Sequence, residues 1–174
     1  IGSIIRSIRQ VIKKEKGTYE ILVVDDGSTD KTADIAKKEG ALVYAHQINS
    51  GLAETFRTEM KRCLELKPDI IVHIDADEQY DPKDIPRLVR EVKKGYDLVL
   101  GNRFQGGIEE MPWLKKLGNR AFTKAISTIT KFPVGDAQTG FRAFTKKAAE
   151  QIKITSDFTY TQEQLIRAGK AKMR

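Results

Sequence analysis

Apolar residues fall at two spacings along this chain, and the two alternate. Ile1, Ile4, Ile5, Ile8, Val11 and Ile12 recur three or four positions apart with Arg6, Arg9 and Lys13 between them, which predicts a helix over 1–14 with one buried face. Its charges interleave with the apolar positions instead of preceding them, so it does not read as a signal peptide; a membrane-surface helix is the alternative. Residues 20–24, 41–45, 70–74, 97–100 and 141–144 are short β-rich runs. Between and after them come helical stretches at 30–39, from the polar loop 46–51 to about 66, at 82–94 with Pro82 in the first turn, at 112–130 and at 161–168. This alternation predicts an α/β domain with a mostly parallel sheet. Ligands of such sheets bind beyond the carboxyl ends of the strands. Three of those ends carry Asp25-Asp26, Asp75-Ala76-Asp77 and Gly101-Asn102-Arg103, and they are expected on one edge.

Composition narrows the class. The chain has 174 residues, 40% apolar and 32% charged, which fits one globular domain over 1–174 and excludes a disordered tail or a collagen-like repeat. With one cysteine, Cys63, no internal disulfide can form, and a reducing compartment is the simplest reading. The net charge is +7, and +5 of it lies in 142–174, where eight Lys/Arg face three acids. An anionic lipid, nucleic acid or phosphorylated ligand could each use that excess, although solvated surface lysines explain it too. Nucleic acid is not favoured, because no basic run is interleaved with stacking aromatics.

The strand ends suggest chemistry. Asp75 and Asp77 lie two apart where a strand runs out, so a turn can bring both carboxylates onto one cation. Hard oxygen donors suit Mg²⁺ or Mn²⁺, with positions left for diphosphate oxygens. In Asp25-Asp26-Gly27-Ser28-Thr29-Asp30, Ser28 or Thr29 is expected to cap a helix and Asp30 to face its dipole. The Asp pair itself is left to accept hydrogen bonds from a base or ribose, or to hold a water. His46 and His73 have no ligand-spaced partner and are read as structural.

In combination and in order, VVDDGSTDKT, HIDADEQYDP, GNRF and DAQTGFRAF resemble glycosyltransferase family 2, most closely its branch that charges polyprenyl phosphates, the dolichol-phosphate mannose or glucose synthase type. The resemblance covers nearly the whole chain. It implies a GT-A nucleotide-diphospho-sugar transferase fold with a Rossmann-like sheet. It implies that Asp26 contacts the nucleotide base with Asp25 nearby, and that Asp75 and Asp77 form the metal and diphosphate site with Gln79 as a further metal contact. Arg103 matches a phosphate-binding arginine near the reaction centre. Lys115, Lys116 and Arg120 lie where that branch places cations for the acceptor phosphate, beside the apolar Met111, Pro112, Trp113 and Leu114. Asp136, Gln138, Thr139 and Gly140 match the loop that closes the acceptor side. Departures are a family strand of the type VSVVIPAYNEE, expected before residue 1, a continuation expected after the last helix, and a loose fit at 49–53.

The implied reaction inverts the anomeric carbon of a UDP- or GDP-linked sugar, with Mg²⁺ or Mn²⁺ on the diphosphate. A polyprenyl phosphate acceptor is already anionic and needs cations; a sugar-hydroxyl or other glycan acceptor needs a base, and Asp136 is the candidate. The implied location is cytoplasmic, at the cytoplasmic face of a membrane. A signalling receiver domain is the rival from another class, since it also sets acids after an early strand and an Asp after a later one. It calls for a lysine after its last strand, where this chain's fourth strand ends in Gly-Asn-Arg.

Overall fold

The computed structural model describes residues 1–102, 118, 123–124, 126–128, 130 and 134–174. Its elements follow the alternation: α1 (Gly2–Ile12), β1 (Leu22–Asp25), α2 (Thr32–Lys38), β2 (Leu42–Ala45), α3 (Leu52–Glu65), β3 (Ile70–His73), α4 (Ile85–Lys93), β4 (Leu98–Leu100), β5 (Arg142–Thr145), α5 (Lys146–Gln151) and α6 (Thr161–Lys170). Of the helix expected over 112–130, most lies outside the described residues; residues 118, 123–124, 126–128 and 130 are helical.

Local chemistry sets several boundaries differently from expectation. Neither Ser28 nor Thr29 caps α2: its first residue is Thr32, and the Ser28 N–H and hydroxyl both donate to Asp25. Asp30 instead closes an Asx turn, accepting from the Thr32 N–H at 2.8 Å. The Pro82 helix begins as a single 3₁₀ turn (Pro82–Asp84), whose Asp81 side chain accepts from the Lys83 N–H. The helix α5 was not anticipated; Thr145 caps it by accepting from the Ala148 N–H at 3.1 Å.

β1 and β2 pair in parallel. β5 lies between β3 and β4 and runs antiparallel to both, so β3 and β4 point the same way. Phe56, Met60, Ile71, Phe144 and Tyr160 pack into one core of this second ladder, with α3, α5 and α6. Tyr80, Leu88, Val92, Phe141 and Ala143 pack into another, with α4 and partly buried residues of α1. Phe56 stacks on Tyr160 with centroids 4.1 Å apart, a pair worth about 0.5–1.5 kcal/mol beyond its buried area.

The antiparallel entry of β5 positions the site. Its first residue, Arg142, lies opposite His73 at the end of β3 and Leu100 at the end of β4. The loop leading into β5, 134–141, is thereby delivered to the carboxyl ends of both strands. A strand parallel to its neighbours would have delivered the loop that follows it.

Candidate active site

The β1 end is a closed arrangement. Asp25 is buried and holds Ser28. Asp26 accepts at 2.8 Å from the Ser50 N–H on one oxygen and from the Gly51 N–H on the other, and His46 Nδ1 lies 2.8 Å from the first. Burial pushes the Asp26 carboxyl up, but His46, the two backbone N–H groups and Thr55 outweigh it and hold it below the usual carboxylate range. The far ring nitrogen of His46 lies 3.0 Å from Thr58 Oγ1 on α3. Gly27, at φ +75°, lets the loop close, since a Cβ there would stand 2.6 Å from the Ile48 carbonyl carbon.

The β3 end is more open. Asp75 is 38% exposed, and one of its oxygens lies 3.3 Å from His73 Nε2. His73 is largely enclosed, with Nδ1 at 2.7 and 2.9 Å from the two Glu59 oxygens and Nε2 at 2.8 Å from the Tyr160 hydroxyl. Burial works against the imidazolium, but the charges of Glu59 and Asp75 prevail and raise the His73 pKa to about 9. His73, which has no sequence-spaced partner, thus gains three in space. Asp77 accepts from the Gln79 N–H at 3.1 Å, and Asp77 and Gln79 are both exposed on the turn after β3.

The 134–141 loop meets this turn. Tyr80, buried just past Gln79, accepts from the Gly140 N–H at 2.9 Å and from the Thr139 hydroxyl at 3.3 Å. A Cβ on Gly140 would fall 1.9 Å from an Asp75 oxygen, so the loop backbone lies directly against the carboxylate. A Cβ on Gly135 would meet the Asn102 amide at 2.6 Å, which brings the β4 end into the same cluster. Asp136 is fully buried and accepts from the Gln138 N–H.

Arg142 locks the loop from below. It is fully buried and donates to the carbonyls of Thr139 (2.8 Å), Thr161 (2.9 Å) and Ala137 (3.1 Å) and to the Gln164 amide oxygen (2.6 Å). Burial lowers its pKa to about 10, against the pull of Tyr160, Tyr80, Asp136 and Asp75. The sequence signal for it was a charged residue inside the apolar run Phe141–Phe144, a position where only a satisfied guanidinium is tolerated.

The structure therefore brings together Asp75, Asp77, Gln79, Asp136, Gln138, Thr139 and Gly140. Asp25 and Asp26 stand at the end of the other ladder, linked to the first group through adjacent residues of α3. Arg103, Lys115, Lys116 and Arg120 lie outside the described residues. Glu59, His73, Tyr80, Arg142 and Tyr160 are not distinguished as site residues by the sequence, because each has a defining partner far along the chain: Glu59 is 14 residues from His73, Arg142 22 from Gln164, Tyr80 60 from Gly140 and Tyr160 87 from His73.

An α/β architecture with an acidic turn beyond one strand and a glycine-bearing loop folded against it is the arrangement expected of a nucleotide-sugar transferase fold. Residues 2–153 match the model of Glycosyl transferase family 2, and the chain belongs to that family. This displaces the receiver-domain reading. A dolichyl-phosphate hexose transferase of Haloferax volcanii is 32% identical over 169 residues, 96% of this chain and 70% of that protein. An uncharacterized protein of Methanocaldococcus jannaschii is 42% identical over 142 residues, 80% of this chain; this chain spans 58% of its length. Among solved structures, glucosyl-3-phosphoglycerate synthase from Mycobacterium tuberculosis, crystallised with Mn²⁺, UDP-glucose and phosphoglyceric acid, superposes with TM-score 0.75 at 22% identity, covering 98% of this chain and 60% of its own. That likeness is one of fold.

Proposed function

We propose that this chain is the catalytic domain of an inverting, divalent-metal-dependent hexosyltransferase that moves a sugar from a nucleotide diphosphate to a polyprenyl phosphate. The observation that carries the reading is the contact between the Asp75/Asp77 turn and the 134–141 loop, which supports reading the turn as the donor side and the loop as the acceptor side of one site. The relatives support the acceptor class: besides the Haloferax protein, a UDP-N-acetylglucosamine–dolichyl-phosphate N-acetylglucosaminyltransferase of Methanococcus voltae is 30% identical over 88% of this chain.

The donor set fits a hard divalent ion. Asp75, Asp77 and the Gln79 amide offer oxygen atoms on one exposed turn, and two carboxylates are the number with which Mg²⁺ or Mn²⁺ is held jointly with substrate phosphates. When bound, such an ion offsets the charge that develops on the leaving diphosphate. The chain's own residues do the rest. Tyr80 and Arg142 hold the acceptor-side loop against the turn, which orients the acceptor. Asp26 anchors the loop 46–51 beside the donor, its carboxylate engaged by Ser50, Gly51, His46 and Thr55. Asp136, with no exposed surface, has the surroundings of a counter-charge to Arg142, which suits an acceptor that needs no base. Arg103, Lys115, Lys116 and Arg120 would supply cations for the acceptor phosphate. Among the described residues no helix is long and apolar enough to cross a membrane. A nucleotide-sugar donor and a lipid phosphate acceptor would meet at the cytoplasmic surface of a bilayer.

The test is transfer of radiolabelled sugar from UDP-glucose, UDP-N-acetylglucosamine or GDP-mannose to vesicles carrying dolichyl or undecaprenyl phosphate, read as organic-phase counts. We expect metal-dependent transfer from one donor, abolished by Asp77→Ala and retained by Asp136→Asn. Transfer only to a soluble hydroxyl acceptor, lost in Asp136→Asn, would replace the acceptor assignment.

A further inference from the structure

We infer that Glu59 and His73 are positioning residues for Asp75, fixing the first carboxylate of the acidic turn from behind. The inference rests on the reading of Asp75 and Asp77 as the metal and diphosphate turn, and it adds two residues that the family resemblance did not supply.

His73 ends β3, two residues before Asp75, and its ring lies against Phe56 and Tyr160 in an apolar core. Replacing an enclosed ion pair by apolar side chains is often neutral for stability, so stability alone does not account for an imidazole and a carboxylate there. The geometry gives them another role. Glu59, on α3, engages Nδ1 with both oxygens and fixes the ring from one end. Tyr160, itself immobilised by its stack on Phe56, meets Nε2 and fixes the other. A carboxylate can only accept, so Asp75 accepts a hydrogen bond from the Nε2–H, which the Tyr160 hydroxyl shares. On its other side Asp75 meets the Gly140 backbone, where there is no space for even a methyl group. The carboxylate is therefore held between a fixed N–H and a fixed wall while remaining partly exposed. Outer partners of this kind orient a metal ligand and typically set 10–100-fold of its affinity.

The experiment compares two amides at one position. In His73→Gln the amide nitrogen reaches where Nε2 was, toward Asp75; in His73→Asn it stops where Nδ1 was, toward Glu59. Mn²⁺ is titrated into the protein with saturating UDP, reading free Mn²⁺ by electron paramagnetic resonance, alongside thermal melts. We expect Asn to weaken Mn²⁺ affinity about tenfold or more and Gln to stay within about threefold, with matching melts. Equal affinities in the two variants, or wild-type affinity in Asn, would overturn the inference. Glu59→Gln preserves volume and covers the case in which the His73 variants do not fold: several-fold weaker Mn²⁺ binding is expected, and no change overturns the inference. Asp77→Ala separates the two levels. Loss of Mn²⁺ binding there, with unchanged His73 and Glu59 variants, leaves the metal turn standing and removes the positioning role. No UDP-dependent Mn²⁺ binding by the wild type, or none lost in Asp77→Ala, removes both.

Discussion

Two strand ends of this molecule carry an aspartate, and each aspartate has a histidine partner that is itself held by a residue of α3. At the β1 end, Asp26 meets His46, which meets Thr58; at the β3 end, Asp75 meets His73, which meets Glu59. Thr58 and Glu59 are neighbours in one helix, so α3 backs both ends. The outcomes differ. Asp26 accepts from two backbone N–H groups of the 46–51 loop and is 21% exposed. Asp75 is held through one ring and one close backbone approach and is 38% exposed. A carboxylate that gathers N–H groups of its own loop is an anchor. One that is steadied from behind keeps a face for a ligand. The same residue pair, Asp and His, serves either end according to what the following loop does with its N–H groups.

Three substitutions probe that contrast. The largest effect is expected from Gly140→Ala. The added methyl would stand 1.9 Å from the Asp75 oxygen, so the carboxylate must move, and a displacement of this order near a reacting centre costs about 100-fold in turnover. Sugar-transfer kinetics check it, with a near-normal melt expected. Turnover within threefold of wild type would mean that the Asp75 position does not matter to the reaction.

Asp26→Asn tests the anchor. It weakens charge-assisted bonds to Ser50, Gly51 and His46, and a loss of about 2 kcal/mol is expected in urea unfolding, with UDP-dependent Mn²⁺ affinity unchanged. A normal stability together with weakened Mn²⁺ binding would reverse the roles of the two ends.

The smallest effect is at Glu163, a third carboxylate of the anchor type. It accepts from the Thr155 and Ser156 N–H groups, the Thr155 hydroxyl and Arg167. Burial raises its pKa, but the Ser156 N–H, the Thr155 hydroxyl and Arg167 prevail and bring it down to about 2. Because the folded value is depressed, its stabilisation is present in full above the unfolded value near 4.5 and fades as pH falls from there toward 2. Glu163→Gln should remove about 1–2 kcal/mol at neutral pH, after allowance for solvent screening, and flatten the stability profile between pH 4.5 and 2. Parallel profiles for wild type and variant in that window would deny Glu163 the anchoring role.

Hydrophobic spacing in the chain was sufficient for the alternation of strands and helices, because periods of 2 and 3.6 record which face of each element is buried. Asp75 and Asp77 were legible as a pair of acids at a strand end, and Gln79 only through the resemblance; the three lie within five consecutive residues and share a turn wherever that turn goes. The direction of β5 was not legible, since a strand of four residues reads the same both ways. Yet that direction brings Asp136, Gln138, Thr139 and Gly140 to the acidic turn. Glu59, His73 and Tyr160 were illegible for a related reason: a buried polar residue is recognised by its partner, and their partners come from α3, β3 and the start of α6. The sequence by itself determined the fold class and the acids at the strand ends. Only the tertiary structure decided which of those acids anchors a loop and which is held open, because hydrogen-bond partners far apart in sequence are chosen by packing.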